Sequence, residues 1–387
     1  MARTSALPDQ TSTDAARALA QPYAQVGFEV LRDVTAEHPH SNAFISPTSI
    51  AVALAMTANG AEGATRDAIL SVLHTRGQST AAFNAANRAL AEEIGNTAAV
   101  QLSIANAIWV QEGIPIEPAF RQVLESEYLA AAENLDFRTP AAANTINAWV
   151  AKHTNDRIKK LLDNIDPATV TMLTNAIAFK GKWTAPFDAK NTQPHDFKTA
   201  AGQVRKVPMM KRSGQYSYSN ANGLESIQLP YADGTFAMYV VLPQDETRMR
   251  SFLDQLTPGS FTTLTSSLTA QKGTIELPRF TLEYSATLNS ILRKLGMGPA
   301  FDTGANFQGI NKMRPLQISE VRHASFLRVD EEGTEAAAAT GVGIRAAAVR
   351  VEPPPFHMVV DHPFFLAIRD ERNGQVLFTG MIANPES

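Results

Sequence analysis

Apolar residues in the first third of the chain recur with the 3.6-residue period of amphipathic helices: Tyr23, Gly27, Val30, Leu31 and Val34 share one face, which should pack inward. Ser46-Pro47 predicts a helix start, because serine caps orphan N–H groups while proline gives up one that needs no partner. That helix would carry Ile50, Leu54 and Met56 to a core. Thr65 to His74, Ala81 to Ile94 and Asn144 to Lys160 predict further helices, with Gly77 and Gly95 as stops. From Val100 the period becomes two, with Val100, Leu102, Ile104, Asn106, Ile108 and Val110 on one face of a strand. Thr171 to Phe179 and Val321 to Val329 repeat the pattern. Ser226 to Leu229, Phe236 to Leu242, Gly273 to Phe280, Phe364 to Ile368 and Val376 to Ile382 predict more strands. Helices first and strands later predict an α+β fold. No repeat or long polar linker divides the chain, so residues 1–387 are expected to form a single domain.

Three of these strands carry a polar residue on the apolar face: Asn106, Asn175 and His323. Two readings fit. Each is a satisfied core polar group that fixes register, or all belong to one hydrogen-bond network across a sheet that must open. Periodicity does not separate them.

Residues 331–355 have the oddest composition. Gly341 and Gly343 each cost a helix about 1 kcal/mol relative to alanine. As a strand the segment sorts cleanly. Thr334, Ala336, Ala338, Thr340, Val342, Ile344 and Ala346 point one way, all small or apolar, while Glu335 and Arg345 lie on the opposite face. Alanine and glycine are weak strand formers, so the segment should join an existing sheet rather than build one. Thr334 to Ala346 would span on the order of 40 Å. The alternative is a plain exposed loop. Gly341-Val-Gly343-Ile-Arg-Ala346 fits the loose dinucleotide pattern G-x-G-x-x-A but lacks its preceding strand and following helix.

Composition narrows the function. Thirty-four Lys and Arg against 38 Asp and Glu give a net charge of −4, so neither nucleic acid nor a membrane surface is an expected partner. Zero cysteines exclude disulfides, thiolate zinc sites and cysteine nucleophiles. No stretch reads as a signal peptide or a spanning helix. His38 and His40 flank Pro39 in a polar loop without carboxylate support, and the other histidines are scattered, so no metal is expected. Hydrolase elbow, zincin and phosphate-loop patterns are absent, and no cofactor is expected.

A set of longer motifs remains: Asn42-Ala-Phe-Ile-Ser46-Pro47-Thr-Ser49-Ile50, Asn59-Gly60-Ala-Glu-Gly-Ala-Thr65, Thr174-Asn175-Ala-Ile-Ala-Phe179-Lys-Gly-Lys-Trp183 with Pro186-Phe187, Val207-Pro208-Met209-Met210, Leu277-Pro278-Arg279-Phe280, Leu295-Gly296-Met297, Asp361-His362-Pro363-Phe364 and Gly380-Met-Ile-Ala-Asn384-Pro385. With these the chain resembles the serpins, the serine protease inhibitor superfamily, from about Ala24 to Pro385, and an inhibitory member of prokaryotic type. The resemblance implies three β-sheets, about eight or nine helices, and an exposed reactive-centre loop at 331–355 with its hinge at 331–340. By the same resemblance Ser46, Ser49, Asn147, Asn175 and His323 match the polar cluster that governs opening of the central sheet. Trp183 matches the residue near the point where the loop goes in. Asn147 lies on the Ile146/Trp149/Val150 helical face.

Glu331, Glu332, Gly333, Thr334, Glu335, Ala336, Ala337, Ala338, Ala339 and Thr340 resemble the hinge of inhibitory members. The resemblance implies no catalytic group but a suicide substrate: a serine protease cleaves the loop, is held as an acyl-enzyme, and is carried across the protein as the loop inserts. The family's spacing makes Ala347-Ala348 the scissile bond, suited to the shallow pockets of elastase-like or subtilisin-like proteases. Arg345 and Arg350 are rivals that would suit a trypsin-like pocket. A monomer is implied, and family habit puts it outside the cell, with the cytoplasm left open. The competing function is a serpin-fold protein that does not inhibit but carries a ligand or assists folding.

Overall fold

The structure, a computed structural model, describes residues 10–95, 100–333 and 354–385. α1 (Gln10–Ala18) leads into α2 (Ala20–Glu37), whose predicted face is buried as expected. Gly27 on that face sits against the start of α3 (Pro47–Ala58), where an added Cβ would lie 2.2 Å from the Pro47 Cβ; the two helices approach this closely only because the position is glycine. The Ser46 hydroxyl caps α3 by accepting from Ser49 N at 3.1 Å. α4 (Gly63–Val72), α5 (Thr80–Gly95), α6 (Pro118–Tyr128), α7 (Ala141–His153), α8 (Glu246–Asp254), α9 (Pro258–Ser266) and the short α10 (Asn289–Leu292) complete the α-helices among the described residues. α7 stops earlier than its apolar pattern predicts, because Asn155 and Asp156 turn left-handed (φ 50 and 57) straight after its C-cap Thr154.

The strands form two sheets among the described residues. The five-stranded central sheet runs in the order β10 (Phe280–Thr287), β11 (Glu320–Val329), β4 (Thr171–Gly181), β2 (Val100–Gln111), β3 (Ala131–Leu135). The nine-stranded sheet runs β1 (Ala43–Ile45), β14 (Val376–Ile382), β13 (Phe364–Asp370), β8 (Phe236–Pro243), β7 (Leu224–Tyr231), β6 (Val204–Ala221), β9 (Thr269–Pro278), β12 (Phe356–Val359), with β5 (Gln193–Lys198) beside β6. Three sheets were expected. The 18-residue β6 accounts for the difference: it pairs with β5 and β9 along most of its length and with β7 at its end, joining two ladders into one sheet. The single strand expected over Gly273 to Phe280 is also two strands. Arg279 breaks the run, and the chain crosses from one sheet to the other there.

Both faces of the central sheet are covered. Leu173, Ile177, Phe179, Val321, Leu327 and Val329 face the main core, which also takes in α2, α3 and the larger sheet. The opposite face presents Ala105, Ala107, Ala176, Ala178 and Ala324, small enough for α7 to pack closely through Ile146 and Val150. The strands are thus buried on both sides, with the larger side chains toward the main core and mostly small ones toward α7.

Candidate functional site

The three polar residues singled out on the strands lie in one line. Register pairs Asn106 with Asn175 across β2 and β4, and Asn175 with His323 across β4 and β11. Beneath them the N-terminus of α3 supplies Ser46 and Ser49. The Asn175 amide donates to Ser49 O at 3.1 Å and also to the Ser49 hydroxyl and Asn106 Oδ1. Its Oδ1 accepts from His323 Nδ1 at 2.6 Å, and His323 Nε2 accepts from Ser46 N at 3.3 Å. These partners fix the neutral Nδ1–H tautomer, since a proton on Nε2 would face the Ser46 N–H. Asn106 belongs to the cluster by the same geometry.

His323 is fully buried, and desolvation holds its pKa down at about 3. With an unfolded value near 6.5, the unfolded chain binds the extra proton between these limits, so the contribution is present above pH 6.5 and is lost as pH falls toward 3. The expected slope from this one group is at most about 1.4 kcal/mol per pH unit. Urea titrations of wild type and His323→Asn between pH 6.5 and 4 should show the variant's stability falling less steeply. Parallel slopes would contradict the buried neutral imidazole.

Asn147 is not in this cluster. α7 covers the far face of the sheet, so no α7 side chain reaches Ser46 or Ser49 without crossing the strands. Asn147 Oδ1 instead accepts from Leu161 N (2.8 Å) and Leu162 N (2.9 Å), and its amide donates to Leu162 O (2.8 Å), tying the segment after α7 back onto the helix.

Trp183 is likewise outside the cluster but sits at the end of β4 against the hinge. Its indole N–H donates to Asp330 O at 2.9 Å and its backbone N–H to Glu332 O at 3.2 Å, while Phe187 N donates to Glu331 O at 2.7 Å. The ring stacks on Tyr231 at 4.3 Å. The Glu331 carboxylate is buried, accepts from Thr192 Oγ1 at 2.7 Å, and lies 3.4 Å from Arg279 Nη1. Arg279, at the crossing between the two sheets, was not anticipated as a hinge partner. Burial raises the Asp330 pKa, although its carboxylate accepts from Arg328 Nε at 3.0 Å. Gly333 has φ +93, and a Cβ there would sit 2.3 Å from Trp183 N and 2.6 Å from Gly181 O. Only glycine fits this turn. Thr334 to Thr340, Arg345, Ala347, Ala348 and Arg350 lie outside the described residues.

The parts form one arrangement. β4 and β11 are adjacent and parallel over eight register pairs, from Met172/Glu320 to Phe179/Leu327. The chain leaves β11 through Asp330–Gly333 beside the end of β4. A segment that doubled back from this turn would run antiparallel to both strands and could pair with each.

A family model described as Serpin (serine protease inhibitor) matches residues 21–385. An uncharacterized serpin-like protein of Thermococcus kodakarensis is 34% identical over 362 residues, covering 93% of this chain and 84% of its own. Human Serpin B8 is 35% identical over 370 residues, 92% of this chain and 96% of its own. The crystal structure of mouse protein-Z dependent protease inhibitor superposes with a TM-score of 0.87 at 26% identity, covering 98% of this chain and all of that one.

Proposed function

Because the chain belongs to the serpin family, of serine protease inhibitor type, we propose that it traps a serine protease by offering residues 331–355 as bait and drawing the cut segment into the central sheet between β4 and β11. The observation that carries this reading is the parallel β4/β11 pair with the hinge turn at its end. A strand entering there exchanges one ladder for two. Its inward residues, from Thr334 to Ala346, are small or apolar and would meet Ile177, Phe179, Leu327 and Val329 without overpacking. The Asn175–His323 hydrogen bond spans the two strands that must part, so the polar row acts as their clasp. The network reading of Asn106, Asn175 and His323 follows from this.

The bait bond is Ala347-Ala348, and the targets are elastase-like or subtilisin-like proteases, whose shallow pockets take alanine without an unfilled slot. Incubation with an elastase-like, a subtilisin-like and a trypsin-like protease should give a denaturant-resistant covalent complex with one of the first two. Mass spectrometry of the released peptide should find Ala348 at its N-terminus. A peptide beginning at Ala346 or Val351, with a complex only with the trypsin-like enzyme, would move the bond to Arg345 or Arg350. Cleavage without complex formation by any of the three would overturn inhibition itself.

A further inference from the structure

The groove between α8, α9 and the end of the β6/β7 ladder lies away from the hinge and the polar row, and it has a cavity of about 390 Å³. Its floor is apolar: Leu224, Phe252 and Leu264 pack on the core but are left only partly covered. One wall carries Ser219 and Ser226, which are register partners on adjacent strands and so present two hydroxyls side by side. Neither hydroxyl has a protein partner among the described residues, and both line the open groove, where a ligand atom can reach them. At the rim stands Arg248, the single charged residue lining the groove, with no ion pair among the described residues.

We propose that this groove is a binding site for a small aromatic carboxylate. The apolar floor, with a phenyl ring in it, takes the ring system of the ligand. The guanidinium takes the carboxylate as a two-pronged hydrogen-bonded pair, and the serine hydroxyls complete its acceptor positions. One cation balances one negative charge, which favours a carboxylate over a doubly charged phosphate. The site does not depend on the inhibitory reading, and its test leaves the protease assay untouched.

Isothermal titration of the full chain with 2-naphthoate and with neutral 2-naphthamide tests it. Naphthoate should bind one to one, at least about tenfold more tightly than the amide, the worth of one charge-assisted contact. Arg248→Gln should erase that ratio while leaving protease complex formation unchanged. Ser226→Leu should abolish binding of both by filling the groove; Leu264→Trp, at the partly covered floor on α9, does the same if Ser226→Leu fails to fold. Absence of naphthoate binding up to about 1 mM, equal affinity for acid and amide, or a ratio untouched by Arg248→Gln would each overturn the site.

Discussion

A single cut within residues 344–350 is expected to raise the unfolding midpoint by on the order of 10 °C or more. At about 2.1 cal/mol/K per residue the unfolding entropy of this 387-residue chain is about 0.8 kcal/mol/K, so a shift of that size takes a net gain of about 8 kcal/mol. The uncut segment is pinned at both ends. At one end Glu331 and Glu332 are held by Phe187 and Trp183; at the other, β12 pairs with β9 from Phe356/Gly273 to Val359/Glu276. While both ends hold, Thr334 onward cannot run the length of β4. Under the proposed loop insertion, the native state would be retained by a kinetic barrier rather than by its equilibrium free energy, and a cut would release it. Limited proteolysis followed by calorimetry at one scan rate measures the change. An unchanged midpoint after clean cleavage would mean that the segment does not enter the sheet.

Much of this was legible in residue order, and the exceptions have physical causes. Alternation on β2, β4 and β11 put Asn106, Asn175 and His323 on apolar faces, but their alignment in one row is a matter of register, which no single strand carries. Asn147 was misassigned because a helix face shows only that it packs on a sheet, not on which side. β6 escaped notice because Lys211 to Gln215 are largely exposed, so no apolar period survives through its middle. α8 and α9 announce themselves only by their caps, Asp245 and the Thr257/Ser260 capping box, with too few apolar residues for a clear stripe. The role of Arg279 depends on the break between β9 and β10, where a run that reads as one strand passes between sheets.

Thr334→Arg is expected to turn the inhibitor into a substrate. Thr334 follows the Gly333 turn, so on insertion it is the first residue to pass between β4 and β11, and alternation turns it inward with Ala336 and Ala338. The side chains waiting there are Phe179, Leu327 and Val329, each no more than 2% exposed and none able to pair a cation. An unpaired guanidinium buried among them costs several kcal/mol, which slows insertion by orders of magnitude while leaving the bait bond intact. Deacylation then outruns translocation: the protease should go free, the variant should be cut, and the number of inhibitor molecules consumed per trapped protease should rise at least about tenfold, since 1.4 kcal/mol in the competing barrier already gives that factor. Glu335→Arg supplies the control. The same charge one residue along falls on the opposite face, at the open rim beside Asp330 and Glu332 where solvent reaches it, so it should inhibit nearly as wild type does. If both arginine variants trap protease equally well, the strand does not enter with Thr334 facing the core; if both fail equally, charge at the hinge matters without regard to face, and the alternation on which the insertion geometry depends is wrong.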